Sequence, residues 1–472
     1  MLVIFESLRS LHLRNLILLS IAAAFMFPAG LRAEDEPIVL TLENAIELGM
    51  ETDQALRQAA QTIAKAEAQV TQAKSYALPH LSLSGQYGRN IKRPSFFIPE
   101  DFRPSEDTPA RVEMGEDNDF MGAATLEQVL WASGRVSAGL NAAREFLETF
   151  RYQEIATADY VRFIVQEAYY NVLLANAMLE ISSKALQAAE EGMRVADAGS
   201  RQGTASKFDI MRAEVEVANR RAPLVAAQNN VEQSMSVLLR RCGLEHDAEV
   251  IIPDSLRAIT RPIELDTFLG VMRETSAEIL ALDHYVGAQE QFVRIAKAER
   301  YPTLGLTAYW GIQAQWSQGF LPDDQLVADN AAIQIGFNIP IFDGLLAKGK
   351  IREAKAELRT AELELEKVTR DKELAVRRSW LMLENAITAL EGRREAVALA
   401  EEAYRLAVIR LENGLATPLE RLDAELAMTT ARGQYVEALY ACKIAQSYLE
   451  LAVGSRGFGK IKAYEQEDWK NE

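Results

Sequence analysis

Residues 161–200 carry the pattern that decides the fold, VRFIVQEAYYNVLLANAMLEISSKALQAAEEGMRVADAGS. From Val161 through Ala175 onwards, small and aliphatic side chains recur at alternating spacings of four and three residues. Such a heptad repeat is typical of a helix that packs along its whole length against other helices. Because no proline occurs from Arg135 to Gln202, the pattern predicts one helix of about 68 residues, roughly 100 Å long.

The chain contains two copies of one unit. Pro79 aligns with Pro302 at an offset of 223 residues, and Gly203 aligns with Gly414 at an offset of 211 residues. Each copy is predicted to run helix, two strands, very long helix, tight turn, helix. The shorter helices are expected at about 42–77, 206–241, 264–300 and 418–452, each near half the length of the long helix, so that two of them stacked end to end would match it. This organisation predicts the following division: residues 1–33 a signal peptide, 34–261 the first structural repeat, 262–455 the second, and 456–472 a C-terminal tail.

The change of offset means that the first copy is 12 residues longer than the second between Pro79 and Trp131. The additional residues fall within about 90–118, where four prolines recur among acidic side chains. This composition predicts an exposed, acidic loop. It would join the two strands of the first copy at the end opposite the helices.

Four short segments have the alternation of β-strands. They are predicted at about 79–89 and 119–130 in the first copy and at about 302–311 and 331–342 in the second. About ten alternating residues bounded by aromatic side chains are typical of a transmembrane strand, although a half-buried soluble sheet has the same pattern. The smallest membrane barrels have about eight strands, so four strands could span a membrane only if several chains share one barrel.

The N-terminus resembles a secretory signal peptide. Arg9 and Arg14 precede an apolar run at 16–27, which is followed by small residues up to Ala33. Twelve apolar residues are too few for a bilayer core of about 30 Å, so we expect cleavage after Ala33 rather than an anchor. No later segment has 18 uninterrupted apolar residues. Any membrane span of the mature chain is therefore expected to be a strand.

Composition and motifs exclude several classes of protein. The net charge of −17 disfavours a nucleic-acid partner, because phosphate contacts need basic patches. Cys242 and Cys442 are not equivalent in the repeat, so we expect two free, buried thiols. The sequence has neither a metal-ligand spacing around its histidines nor a phosphate loop or nucleophile elbow. We therefore expect neither an enzyme nor a bound cofactor or metal.

Two short motifs complete a resemblance to a known family. Ile-Pro-Ile-Phe-Asp-Gly at 339–344 opens a long helix, and Gly-Leu-Ala-Thr-Pro-Leu-Glu at 414–420 joins two helices. With the duplicated unit, they make residues 38–455 resemble the TolC family of outer-membrane efflux and export ducts. The resemblance implies a mainly α fold with transmembrane β-structure. It further implies a homotrimer whose 12-strand β-barrel in the outer membrane is continued through the periplasm by a long α-helical barrel. With that topology, the acidic loop at about 90–118 would face outside the cell.

The resemblance also implies a function and partners. The chain would be the exit duct of a tripartite efflux pump or a type I secretion system, working with a periplasmic adaptor (membrane fusion protein) and an inner-membrane pump. Two other interpretations remain open from the residues themselves. One is a periplasmic adaptor, which should have a single helical hairpin, and the other is a structural coiled-coil envelope protein, which would not need amphipathic strands.

The turns between helices are the expected contact sites. In each, a glycine, two linker residues and a hydroxyl side chain form the connection that an αα-hairpin requires. By resemblance, these tips would contact the adaptor through Gly203, Thr204, Ser206, Gly414, Leu415 and Thr417. Glu420 and Asp423 occupy the positions of carboxylate rings that narrow the tunnel entrance in the family. Glu420 equally fits a capping box with Thr417, whereas capping does not explain Asp423.

Overall fold

The computed structural model describes residues 38–103, 109–203, 205–257, 264–317 and 327–461. The predicted signal peptide, Thr204 and most of the predicted C-terminal tail lie outside these ranges. The elements of the first copy are β1 (Ile38–Val39), α1 (Leu42–Thr52), α2 (Gln54–Ser75), β2 (His80–Arg89), β3 (Ser95–Phe97), a 3₁₀ turn (Glu100–Phe102), β4 (Arg111–Glu113), β5 (Asn118–Trp131), α3 (Arg135–Arg201), α4 (Lys207–Arg241) and β6 (Val250–Ile251).

The second copy has the same order of principal elements. They are α5 (Leu265–Thr275), α6 (Ala277–Ala298), β7 (Thr303–Trp316), β8 (Val327–Asn338), α7 (Leu346–Glu412) and α8 (Pro418–Val453). Residues 455–461 are also helical and are called the terminal segment below. The two long helices, α3 and α7, have 67 residues each, which confirms the prediction from the heptad pattern.

The helices that precede the strands differ from the prediction of one continuous helix at about 42–77 and another at about 264–300. Each is divided in two at an equivalent position, Asp53 in the first copy and Ser276 in the second, where the backbone is extended. Asp53 caps the following helix, since its carboxylate accepts hydrogen bonds from the backbone of Ala55 (2.7 Å) and Leu56 (3.3 Å). Neither break contains a proline, so the apolar pattern alone gave no signal for it.

The helices pack side by side in two levels. Near the strands the order is α2, α3, α6, α7, and towards the helical turns it is α4, α3, α8, α7. The long helices α3 and α7 thus pass through both levels, and pairs of shorter helices stack end to end between them. This arrangement agrees with the expectation that two short helices match one long helix in length.

The strands form one antiparallel sheet in the order β2–β5–β7–β8. The strand predicted at about 331–342 instead ends at Asn338, so Ile339 and Ile341 lie beyond it. Asn338 pairs with Thr303, the first residue of β7 after Pro302. β8 has no partner on β7 beyond this pair, because β7 begins at Thr303. Pro340 also has no N–H with which to extend the ladder of hydrogen bonds. At the other end β8 begins four residues earlier than predicted.

The insertion at about 90–118 is not entirely a loop. β3 and β4 pair antiparallel within it and form a small hairpin, with Ser95 opposite Glu113. Arg93 at its base donates to Asp117 at 2.8 Å and lies 3.3 Å from a carboxylate oxygen of Glu116. The acidic composition was predicted, but the pairing of Glu113, Glu116 and Asp117 with arginines inside the insertion was not.

Each copy has its own apolar core where the short helices meet the long one. In the first copy Tyr169 is fully buried, and its hydroxyl donates to Asp254 at 2.6 Å. In the second copy Met272 and Leu449 are fully buried, and Phe458 and Ile461 of the terminal segment pack into the same cluster. Cys242 lies in the first cluster and Cys442 in the second. Both cysteines are free and buried, as predicted.

Candidate functional site

The first helical turn joins α3 to α4 through Gly203, whose φ of +77° is accessible at little cost only to glycine. Ser206 is the N-cap of α4 and forms a capping box with Asp209. The backbone N–H and hydroxyl of Ser206 donate to the Asp209 carboxylate at 2.8 and 2.7 Å. These bonds lower the pKa of Asp209. The predicted contact residue Thr204 is outside the described residues.

The second turn joins α7 to α8 through Gly414, with a φ of +71°. The N–H of Leu415 donates to the carbonyl of Arg410 at 2.7 Å, and the N–H of Gly414 to the carbonyl of Leu411 at 3.0 Å. This is the Schellman pattern, which satisfies the last carbonyls of a helix. Thr417 caps α8, with Pro418 as the first helical residue, as predicted.

The two carboxylates expected at the tunnel entrance have different surroundings. Glu420 completes the capping box with Thr417 and also lies 3.5 Å from the guanidinium of Arg410. Asp423 lies one turn further along α8 and is exposed. Capping therefore explains the position of the Glu420 side chain, as the sequence allowed. Asp423 takes no part in the cap. A role in a ring stays a prediction for both residues.

Large apolar side chains are exposed at the tips, which was not predicted from the sequence. Phe208, in the first turn of α4, is 70% exposed, and Leu415 in the second helical turn is exposed to the same extent. Met211 and Leu419 are exposed nearby. A Phe two residues after the N-cap Ser206 has no structural task in the cap itself, which was the available sequence signal. Exposed apolar groups of this kind mark surfaces that contact partners.

The hydroxyl caps are expected to stabilise the tips measurably. Replacing Thr417 with Ala removes the acceptor for the N–H of Glu420, which costs about 1 kcal/mol. Hydrogen exchange in the first turn of α8 should accelerate about fivefold, whereas Thr417→Ser should leave it unchanged. Equal exchange in the Ala and Ser variants would show that the cap is not stabilising.

Four charged side chains lie together where α8 meets α3 and α4. Arg421 donates to Glu425 at 3.0 Å, and Arg220 donates to Glu216 at 2.6 Å. The Glu425 side chain is only 6% exposed. Burial raises its pKa, and the positive charges of Arg421 and Arg220 oppose that effect. Spacing along one helix could reveal each pair, but not their proximity.

His284 has a carboxylate neighbour that its sequence spacing does not indicate. Its Nδ1 lies 2.8 Å from Glu145 Oε2, and its ring stacks on Tyr152. The contact joins α3 to α6 across the two copies, so sequence spacing could not reveal it. Within the described ranges, no three His, Cys, Asp or Glu side chains are close enough together to hold a metal ion. No helix there is long and apolar enough to cross a membrane.

Among the residues that the structure describes, neither edge strand of the sheet, β2 or β8, has a partner on its outer side. Apolar side chains of both edge strands are largely exposed: Leu81, Leu83 and Tyr87 on β2, and Ile333, Ile335 and Phe337 on β8. The central strands β5 and β7 pair with each other over their whole length, apart from an irregularity between Val129 and Trp131. An isolated chain thus exposes both hydrogen-bonding edges and an apolar surface.

Comparisons with known proteins agree with this architecture. A sequence model of the outer membrane efflux protein family matches residues 46–243 and 269–455. The chain is 25% identical to the protein CyaE of Bordetella pertussis, over 89% of this chain and 85% of that protein. It is 24% identical to the outer membrane efflux protein BepC of Brucella suis, over 71% of this chain and 70% of that protein.

The fold is similar to that of a solved outer membrane protein. The structure of VceC from Vibrio cholerae superposes with a TM-score of 0.72, at 20% sequence identity, and the match covers 88% of this chain and 96% of that chain. The duplicated arrangement of strands and very long helices is therefore shared with a protein of the outer membrane.

Proposed function

Because this chain belongs to the outer membrane efflux protein family and is an outer-membrane exit duct that extends into the periplasm, we propose that three copies assemble around one axis to complete the duct. Twelve strands then form one barrel in the outer membrane, and the long helices continue it as a tunnel. Family membership decides against the adaptor and the structural rod, the two other interpretations of the sequence.

The single observation that carries the trimer proposal is the pair of free edges, β2 and β8, on a sheet of only four strands. In lipid every backbone polar group needs a partner, so an open sheet is not viable there. Pairing β2 of one copy with β8 of the next satisfies both edges and closes the sheet. Three copies give twelve strands, an even number within the range known for membrane barrels.

The partners of the duct are an adaptor and an inner-membrane pump, as proposed from the family resemblance. The helical turns support this because each combines a rigid cap with exposed apolar side chains, Phe208 on one turn and Leu415 on the other. Gly203, Ser206, Gly414 and Thr417 shape the backbone of these tips and place the apolar groups. Energy for export is supplied by the pump, and the duct itself is a passive path.

The entrance of the duct is proposed to lie at the same tips, with Asp423 and Glu420 as its acidic lining. Asp423 supports this assignment best, because it is exposed and engaged in no cap. Glu420 serves the capping box first and adds its charge about one turn nearer the tip. A narrow mouth lined by carboxylates selects cations and holds multivalent ones long enough to block.

The trimer is tested by disulfide cross-linking in a variant that lacks the native cysteines (Cys242→Ser, Cys442→Ser). Leu83→Cys in β2 is combined with a cysteine at each successive position from 331 to 337 in β8. Oxidation should join separate chains up to a trimer at alternate positions, because side chains alternate between the two faces of a strand.

The matched control is Ala124→Cys with Trp310→Cys, a pair directly opposite each other in β5 and β7. It should cross-link only within one chain. The proposal fails if the edge pairs also form only intrachain bonds, or if they produce dimers or open-ended polymers in place of a trimer.

A further inference from the structure

The charged cluster described above lies at the level of the proposed entrance, because Arg421 and Glu425 are each two residues from Asp423, and it occupies the side of α8 that faces the rest of the chain. Arg421 and Glu425 belong to α8, and Glu216 and Arg220 belong to α4. All four side chains are at most 21% exposed. Each helix supplies one positive and one negative charge, so the cluster is neutral as a whole.

The third helix at this junction, α3, accommodates Arg421 through a glycine. A Cβ built on Gly192 would lie 3.0 Å from Nη2 of Arg421. Ala189, one turn earlier on α3, is buried. The guanidinium therefore lies against small residues of α3. An added Cβ at Gly192 would require it to shift by a few tenths of an ångström, and a side chain as large as Leu would push it further.

The positions that the repeat makes equivalent to these residues do not form such a cluster. At the repeat offset of 211 residues, the counterparts of Gly192, Glu216 and Arg220 are alanines, at positions 403, 427 and 431, and the counterpart of Arg421 is Ile210. Glu425 alone is matched by a carboxylate, Glu214, which is exposed. The cluster is therefore not a general requirement of the helical repeat but a feature of the junction between α8 and the first copy.

Stability does not account for the cluster. Removing two ions from water costs as much as their attraction returns, and well-packed apolar residues would hold the helices together at least as well. An ion pair differs from an apolar contact in demanding one orientation. Arg421 and Glu425 are therefore suited to setting the rotation of α8 about its own axis.

That rotation decides where Asp423 points. A helix turns by 100° per residue, so Asp423, two residues from both Arg421 and Glu425, projects from the opposite side of α8. We propose that Arg421 and Glu425 are positioning residues that hold α8 by its buried side and thereby aim the Asp423 carboxylates at the tunnel axis. This inference rests on the proposed acidic entrance and adds the residues that orient it.

The test uses reconstituted trimers and block by the trivalent hexaamminecobalt(III) ion in single-channel recordings. In Arg421→Ala, the concentration for half-block should rise about tenfold, although Asp423 is unchanged. The sign is informative, because removing a positive charge near the mouth would by itself strengthen the binding of a cation. Weaker block therefore cannot result from the change in charge.

A second variant disturbs the same contact without altering any charge. Gly192→Leu pushes the Arg421 guanidinium from its place and should weaken block to a similar degree. Arg421→Lys keeps the positive charge and should weaken block less than Arg421→Ala does. Arg432→Ala is the matched control, since Arg432 lies on the same helix as Arg421 and forms an exposed ion pair with Glu401 of α7. It should leave block unchanged.

Asp423→Asn is recorded in parallel, to separate this inference from the proposed entrance. If Asp423→Asn abolishes block while Gly192→Leu and Arg421→Ala leave it intact, the positioning role is overturned. If Asp423→Asn itself has no effect, the entrance has been assigned to the wrong residues. Should Arg421→Ala fail to assemble, Gly192→Leu and Arg421→Gln decide the question in trimers that are confirmed by their heat-modifiable migration on gels.

Discussion

Replacing Asp423 with Asn is expected to remove most of the block by multivalent cations, and adding Glu420→Gln should remove the preference for cations altogether. In a trimer the two positions supply six carboxylates where the helix tips converge. A narrow mouth with walls of low dielectric constant concentrates their field. One helical turn separates the two residues, so they form successive layers on nearly the same side of α8.

The measurement is the reversal potential and the half-block concentration of single channels, with trimer stability followed in the same preparations. Asp209→Asn is the matched control, because Asp209 is a carboxylate at the other tip that is engaged in the cap of Ser206. It should alter neither quantity. If the Asp423 and Glu420 variants retain full selectivity while the tip only loosens, both residues are structural and the entrance is lined by other groups.

Ending the chain after Gly454 is expected to prevent assembly of stable trimers. The terminal segment places Phe458 (7% exposed) and Ile461 (2% exposed) in the core of the second copy, where Phe458 stacks on Phe268 at 6.2 Å between ring centroids. Burying two large apolar side chains stabilises a fold by about 3–6 kcal/mol. The hydroxyl of Ser455 also donates to Asp159 of α3 at 2.5 Å, which ties the two copies together.

A chain ending after Ile461 is the control, since it keeps these contacts. Its yield of heat-modifiable trimer and its midpoint of unfolding in guanidinium chloride should match those of the full chain. The longer truncation should lower both values. Equal midpoints for the two truncated chains would mean that the terminal segment contributes little to the core, in spite of its burial.

The features predicted correctly from the sequence are those with a local cause. The heptad spacing from Val161 onwards is a property of successive turns of one helix, so it specified a rod of the observed length. Gly414, Thr417 and Pro418 form a turn and a cap from adjacent residues. The alternation in β7 and β8 likewise indicated strands, because consecutive side chains of a strand point to opposite faces.

Features that depend on distant residues were not predictable in this way. The end of β8 at Asn338 depends on where β7 begins, 35 residues earlier along the chain. The breaks at Asp53 and Ser276 occur inside regular apolar patterns and reflect how the short helices fit around the long ones. The pairing of His284 with Glu145 joins residues separated by 139 positions.

The junction around Glu425 is the clearest case of a feature decided by tertiary structure. Its sequence neighbours suggest only an ordinary i, i+4 ion pair with Arg421 on an exposed helix face. The pair is buried because α8 packs against α3 where Gly192 leaves room, and because α4 brings Arg220 and Glu216 to the same place. These contacts link positions more than 200 residues apart, and only the shapes of the packed helices determine that they meet.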